Sequence, residues 1–418
     1  MTEASPAEDE PLRRRRSLSH VGGTVETAGD RAEADRLAWA LDVVPATDAE
    51  DDPARPHIHG FHTYPARIHP TTAARLISAF VPPGSSILDP FCGSGTVLVE
   101  AMLAGRRPLG TDLNPLAVRL ARCKTYPHGP VERDQLVAMA RKAQEDADAR
   151  RKGKAGATRR FPIEDVELFE PHVLLELDSL RAFIESLPES GARLDLSLVL
   201  SALLVKLSRK KGDTSSGTRQ RRTAAGFPAK LFLRKAEDLA TRLGQFAALL
   251  PPSPPVAFVA QDDATVLRSL PPGGVGAIVT SPPYAATYDY VAHHALRMRW
   301  LSMDPMPLAR GEIGSRSAYR KIAPAEARSA WMKELGRFIT AAGKVLPPGG
   351  PLVLVIADSA VGNVALRAES IVADVARECG FVPAARASQL RPHFHGPTLA
   401  AFRSRPRAEH AIVLRKSR

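Results

Sequence analysis

Cysteine is scarce in this chain. Its 418 residues include three, Cys92, Cys123 and Cys379, which lie far apart and form no CxxC pair. No histidine cluster accompanies them, so neither a zinc site nor a disulfide framework is expected, and no metal is implied; a reducing compartment fits. Long apolar runs are lacking too. None approaches the roughly 20 residues of a membrane-spanning helix. The N-terminus has no apolar stretch of the kind a signal peptide carries. A cytoplasmic location without membrane contact is therefore expected. There is no internal repeat, and the phosphate-loop pattern GxxxxGK[ST] is absent. Acid is the rarer charge: 45 Asp and Glu stand against 57 Lys and Arg, a formal charge of +12. That balance favours a polyanionic partner, nucleic acid first. The plainer alternative is a soluble protein from an arginine-rich proteome.

The remaining composition is globular, with 44% hydrophobic residues. Residues 1–54 mix acids with Arg13–Arg16 and show no sustained apolar period, which reads as a disordered tail. From about residue 55 the pattern changes. Thr71–Val81 has helical spacing, ended by Pro82, Pro83 and Gly84. Strands are expected at Ser86–Asp89 and Pro108–Asp112, with helices at Val97–Leu103 and from Pro115 to about Arg122. Strands alternating with helices imply a parallel sheet covered on both faces. Residues 128–250 then read as a helical, basic insertion that splits the sheet domain into 55–127 and 251–418. Strands resume at Val256–Ala260, Ala277–Thr280 and Leu352–Ile356, with helices at Pro324–Val345 and Glu369–Cys379. Phe381–Leu390 and His410–Leu414 are candidates for the last two strands. The fold class is α/β.

Two segments carry chemistry. The first is Asp89-Pro-Phe-Cys-Gly-Ser-Gly-Thr96, between a strand and a helix. Gly93 and Gly95 let the backbone turn sharply and come close to a ligand, and N–H groups at the helix start can receive a carboxylate or hydroxyl. Asp89 closes one strand and Asp112 the next, about 20 residues on, where an acid accepts hydrogen bonds from ribose hydroxyls. Val99 stands where a dinucleotide fingerprint wants its third glycine. An acid at the loop's start repels pyrophosphate and suits a ligand with a positive end. Asp262 or Asp263 can accept from an adenine amine, or can serve as a turn or helix cap.

The second segment is Thr280-Ser281-Pro282-Pro283-Tyr284. Two prolines fix φ and remove two N–H donors. The loop's carbonyls and the Ser281 hydroxyl then face a ligand as acceptors, and Tyr284 adds an aromatic platform. Such a cup suits an exocyclic amine on a planar ring. Hydrogen bonds from its N–H groups would localise a lone pair that is otherwise delocalised, so positioning and electrostatics would carry the rate. An aromatic face would hold a base removed from its stack.

Together these residues resemble the bacterial DNA amino-methyltransferases, the N4-cytosine and N6-adenine group. DPFCGSGT is similar to their cofactor motif, and TSPPY to their catalytic motif in the form more typical of N4-cytosine enzymes. Gly60–Arg67 (GFHTYPAR) resembles their upstream cofactor segment, and GTDLNP (Gly110–Pro115) their second cofactor motif. The resemblance covers about 57–125 and 256–418. It implies a Rossmann-like class I methyltransferase fold, with a seven-stranded, mostly parallel sheet whose last strand is antiparallel. It implies S-adenosyl-L-methionine as cofactor, with Phe61 on the adenine, Asp89 and the glycine loop (Phe91, Gly93, Gly95, Thr96) about the methionine end, Asp112 at the ribose, and Asn114 and Thr280 as further cofactor-binding residues. Ser281, Pro282, Pro283 and Tyr284 would be catalytic.

Double-stranded DNA is the expected partner, with a restriction or phage-defence protein as a further one. Lys206–Lys235 is strongly basic, with Asp213 its only acid. Arg209, Lys210, Lys211, Arg219, Arg221 and Arg222 there are candidate phosphate contacts; a solvated basic surface is the alternative. Tyr288 and Tyr290 are candidates for the base pocket. His293 and His294 are adjacent and point different ways on a helix, so a core or pocket role is expected. The basic segment Arg310–Lys321 reads as a lid or a DNA contact. An RNA methyltransferase and a non-catalytic DNA-binding protein are the competing readings.

Overall fold

The computed structural model describes residues 23–43, 55–212, 217–391 and 396–417. Arg13–Arg16 and most of the GDTSSGT loop lie outside the described residues. The chain opens with strand β1 (Val25–Gly29) and helix α1 (Arg31–Leu41), followed by a 3-10 turn at His57–Gly60. Then come α2 (Pro70–Phe80), β2 (Ser86–Asp89), α3 (Thr96–Leu103), β3 (Arg107–Asp112) and α4 (Pro115–Thr125). Five helices follow without a strand: α5 (Pro130–Lys152), α6 (Ile163–Leu168), α7 (Pro171–Ser186), α8 (Gly191–Leu207) and α9 (Phe227–Leu249). The sheet resumes with β4 (Phe258–Gln261) and β5 (Ala277–Thr280), then α10 (Tyr290–Trp300), α11 (Met306–Gly311), α12 (Arg316–Tyr319) and α13 (Pro324–Val345). The chain closes with β6 (Pro351–Ala357), β7 (Ser359–Val361), β8 (Val364–Leu366), α14 (Ala368–Glu378), β9 (Phe381–Leu390) and β10 (Ala408–Lys416).

The main sheet has the order β1-β9-β10-β6-β5-β2-β3-β4. Strands β4, β3, β2, β5 and β6 are parallel neighbours, whereas β10 runs antiparallel to both β6 and β9. This is the Rossmann-like methyltransferase sheet, with its last strand reversed. It carries an eighth strand, however. β1 pairs antiparallel with β9, Val25 opposite Gln389, at the sheet's edge. Residues 25–41 therefore depart from the disordered tail expected for 1–54. α1 is held by Ala34, Leu37, Ala40 and Leu41, all buried in the core beneath the sheet, and capped by Asp30, which accepts from the Glu33 N–H at 3.0 Å. The stretch escaped notice because β1 is largely exposed and its partner lies more than 350 residues on.

The five-helix insertion does not form a separate core. One continuous apolar cluster runs from Phe169, Leu203, Phe232 and Phe246 in the insertion to Leu116 and Leu120 of α4 and Trp300 of α10. Burying each such side chain contributes about 1.5–3 kcal/mol. Arginines fasten the same seam: Arg299 donates to Asp165 of α6, and Arg297 to the Ser201 carbonyl of α8 at 3.3 Å. Among the described residues no helix is long and apolar enough to cross a membrane.

Candidate active site

The strand order reverses between β2 and β5, because β2 leads outward to β3 and β5 leads the other way to β6. In open α/β sheets such a switch point leaves a crevice at the strands' C-terminal ends. Both motifs sit there, and they touch: the Thr280 hydroxyl donates to Asp89 Oδ1 at 2.5 Å. The same oxygen accepts the Phe91 N–H at 3.1 Å. Burial pushes the Asp89 carboxyl up to about 7. Thr280 is fully buried and spends its hydroxyl on Asp89, so it supports the site from below.

The glycine loop is tied to the second acid. Gly93 adopts φ +50°, and its N–H donates to Asp112 Oδ2 at 2.9 Å. Asp112 Oδ1 accepts from the Asn114 N–H at 2.8 Å, and burial raises this carboxyl to about 6. Asn114 caps α4 through the Leu116 N–H at 3.0 Å and donates its amide to the Tyr64 hydroxyl at 3.1 Å. Gly95, at φ +84°, has a different task. A Cβ there would lie 3.1 Å from Ala121 Cα, so glycine lets α3 and α4 approach closely.

A cavity opens over these groups. Phe91, Gly93, Asp112, Asn114, Asp263, Ser281 and Pro283 line it, all from the predicted set. A second, smaller chamber continues from it and is lined by Asp89, Thr96 and again Phe91, Gly93 and Ser281. Asp262 and Asp263 divide their roles. Asp262 accepts from the Ser269 N–H and hydroxyl at 2.7 and 2.6 Å and fixes a turn, whereas Asp263 lines the cavity.

Phe61 is elsewhere. It is 1% exposed within the insertion's core, with Lys235 Nζ 4.9 Å from its ring centre. Three residues on, Tyr64 takes the wall of both chambers, together with Ala66. The YPA segment thus does reach the site, through its tyrosine. Ala66 stands at φ +55°, a strained value for a residue with a Cβ. Tyr290, a candidate for the base pocket, also lines the first cavity, as do Leu113, Glu312 and Ile313, which the sequence did not single out by residue. The last two belong to the Arg310–Lys321 segment. It packs across the SPPY loop, with the Ala286 N–H donating to Gly314 O at 2.9 Å and the Arg316 N–H to Tyr288 O at 3.1 Å.

In the SPPY loop itself, Pro282 is buried, and Ser281 Oγ lies 3.3 Å from the Tyr284 hydroxyl. Burial pushes the Tyr284 phenol above its ordinary range. Tyr288 is half-buried, its ring 5.6 Å from that of Tyr290. His294 stacks on Tyr64 at 4.8 Å, and both histidines are buried. Among the described residues, two groups of ligand-type side chains come together: His57 with His59 and Glu100, and Asp358 with Glu369 and His410. Both are engaged internally, His59 with Glu100 at 2.7 Å and Asp358 with Arg367 at 2.8 Å.

The basic stretch after α8 is a loop closed by a bridge between Lys210 and Thr218. Lys211, Arg219 and Arg222 are exposed. Arg209 is half-buried and donates to the Glu167 carbonyl at 2.8 Å; Arg221 is also half-buried. Burial holds the His294 basicity well below its ordinary value, with the charges of Arg297, His293 and Lys210 adding to the effect.

Comparison with known proteins agrees with this geometry. Residues 22–122 match the DNA methylase family. The match to this family spans about a quarter of the chain. The chain is 36% identical over 83 residues to the type II methyltransferase M.MvaI of Kocuria varians, covering 19% of this chain and 18% of that one. It is 33% identical over 91 residues to the type II methyltransferase M.MjaII of Methanocaldococcus jannaschii, covering 22% and 17%. A tRNA (guanine(10)-N2)-dimethyltransferase of Methanothermobacter thermautotrophicus is 44% identical over 62 residues, covering 15% and 18%. The chain thus spans less than a fifth of the length of these relatives. Among solved structures, TrmN from Thermus thermophilus matches at 13% identity and a TM-score of 0.33, covering 84% of this chain and 50% of that one. The rRNA methyltransferase AviRa from Streptomyces viridochromogenes matches at 11% and 0.35, covering 90% and 96%.

The lining of the two chambers fits S-adenosylmethionine. The first joins apolar walls, Leu113 and Ile313, to the carboxylates of Asp112 and Asp263. The second sets the buried Asp89 against the glycine loop, a place for a positive amino group.

Proposed function

We propose that this protein transfers a methyl group from S-adenosylmethionine to the exocyclic amine of a DNA base, N4 of cytosine in double-stranded DNA. When bound, the cofactor supplies a methyl group on a sulfonium that departs as a neutral thioether. Asp112 would hold the ribose hydroxyls, Asp263 the adenine amine, and Asp89 with the loop Phe91–Thr96 the methionine end. Ser281 and the carbonyls of the SPPY loop would accept the amine's N–H groups and localise its lone pair. The N–C bond forms as the C–S bond breaks, and the amine's proton passes to water. Tyr284 and Tyr288 would flank the extruded ring.

The observation that carries this reading is Ser281. It lines both cofactor chambers, stands three residues from Tyr284, and follows directly on Thr280, which is bonded to Asp89. This supports an acceptor cup beside the donor's methionine end. Lys211, Arg219 and Arg222 would grip phosphates next to it. The SPPY form supports cytosine over adenine. The test is transfer of tritiated methyl from S-adenosylmethionine to duplex DNA. Label in DNA, lost in Ser281→Ala, is expected. Label entering RNA and no DNA would overturn the reading and favour the kinship with the tRNA enzyme.

A further inference from the structure

A separate cavity, of about 500 Å³, lies among α4, α7, α8 and the end of α10. It shares no lining residue with the two cofactor chambers. Its volume is that of an ordinary ligand pocket, about 300–1,000 Å³. Tyr290, at the start of α10, lines the first cofactor chamber, and Trp300, at its end, lines this cavity, a rise of about 15 Å along the helix. Two arginines from different helices meet there, Arg119 of α4 and Arg193 of α8. Arg119 is half-buried and makes no side-chain hydrogen bond or ion pair among the described residues. Its basicity is held below the ordinary value, first by burial and then by the charge of Arg193, so the two guanidinium groups repel each other. Arg193 donates from Nη1 to the Leu187 carbonyl at 3.0 Å and has no acid partner among the described residues. A third arginine, Arg181, is neutralised by Asp178 and Glu185. Ser190, the N-cap of α8, also lines the cavity, so the positive end of that helix's dipole adds to the two charges. Like charges withdrawn from water without a counter-ion oppose folding, and an anion in the cavity would offset that cost. Ile184, Leu194, Leu200 and Leu301 give the cavity an apolar side.

We propose that this cavity binds a small phosphomonoester, its phosphate on Arg119 and Arg193 and an apolar body against the leucines. The site is independent of the methyl-transfer reading. Two guanidinium charges and a helix N-terminus call for more than one negative charge. A phosphomonoester carries about −1.5 to −2 at neutral pH. A carboxylate, or one phosphodiester of a DNA strand, brings a single charge. Arginine's planar fork also meets phosphate oxygens two at a time. Glu189 lines the same cavity and is exposed, with no partner among the described residues. Its carboxylate would repel the neighbouring phosphates of a strand, which favours a compact ligand. Inorganic phosphate would leave the apolar side wet, whereas an organic body covers it.

The test is calorimetric titration of the full chain with phenyl phosphate and, in parallel, with phenol and with inorganic phosphate. Phenyl phosphate should bind saturably and at least ~10-fold tighter than either. Arg119→Gln should weaken it about 10–100-fold, and Arg119→Lys, which keeps the charge and loses the fork, by less. Arg119 has no partner to lose, so Arg119→Gln should leave the ligand-free Tm unchanged or higher, where a structural role would lower it. Leu194→Glu places a negative charge on the apolar side at an exposed position and should weaken phenyl phosphate as well, so the test stands even where Arg119→Gln folds poorly. No saturable binding, binding that survives Arg119→Gln or Leu194→Glu, or equal affinity for inorganic phosphate would overturn the proposal. Duplex DNA binding that is lost in Arg119→Gln, without any binding of phenyl phosphate, would overturn it too and give the cavity to the DNA backbone.

Discussion

At the scale of single residues, the account rests on a few buried polar groups. Ser281→Ala removes one acceptor aimed at the reacting amine, and methyl transfer should fall about 10²-fold with cofactor binding unchanged; single-turnover kinetics beside cofactor titration check this. Asp89 gives a pH dependence. Its folded carboxyl titrates near 7, above the ordinary 3.8, because burial disfavours the charge. In the ligand-free protein the folded state therefore holds the proton more tightly, and stability falls as pH rises from about 4 to about 7. A positive ligand end reverses the preference, so S-adenosylmethionine affinity should rise with pH through about 7, with a proton released on binding. Calorimetry in buffers of different ionisation enthalpy measures that proton, and Asp89→Asn should abolish it. Much of the site was legible at this scale. Asp89, Asp112 and Ser281 stood in motifs whose spacing implied their places. Phe61 and Tyr64 were not separable in this way: both are aromatic, three residues apart, and only the packing of Lys235 on Phe61 sends one to the core and the other to the cavity.

At the scale of elements, glycine positions and strand ends do the placing. Gly95 serves the approach of α3 to α4, so Gly95→Ala adds both a backbone strain at φ +84° and a clash with Ala121. A loss of about 1–3 kcal/mol in denaturant unfolding is expected. The helices and strands with strong apolar periods, such as α2, β2, α13 and β6, were readable from local pattern. β1 was not, because it is short, largely exposed and paired with a strand more than 350 residues on, and the β7–β8 hairpin was not, because its strands have three residues each, too few for a periodic signal. The roles of Glu312 and Ile313 were hidden too: a basic loop acquires a cavity wall only when it packs across the SPPY loop.

At the scale of the whole molecule, the insertion shares one apolar cluster with α3, α4 and α10, helices that flank the sheet, so the two parts should unfold together. A single transition, by both circular dichroism and tryptophan fluorescence from Trp300, is the expected outcome of denaturant titration. The exposed basic loop gives a second prediction. Arg219→Ala with Arg222→Ala should weaken duplex DNA binding at all sequences alike and flatten the salt dependence by about 1.8 in log–log slope, if each side chain meets one phosphate; fluorescence anisotropy across a salt series measures it. The central claim is methyl transfer to a base amine of DNA, and mass analysis of nucleosides tests it most directly. DNA from a host without methylation of its own, expressing this protein, should yield N4-methyldeoxycytidine, absent when Ser281→Ala is expressed in its place. Methylated RNA nucleosides with unmodified DNA would contradict the account.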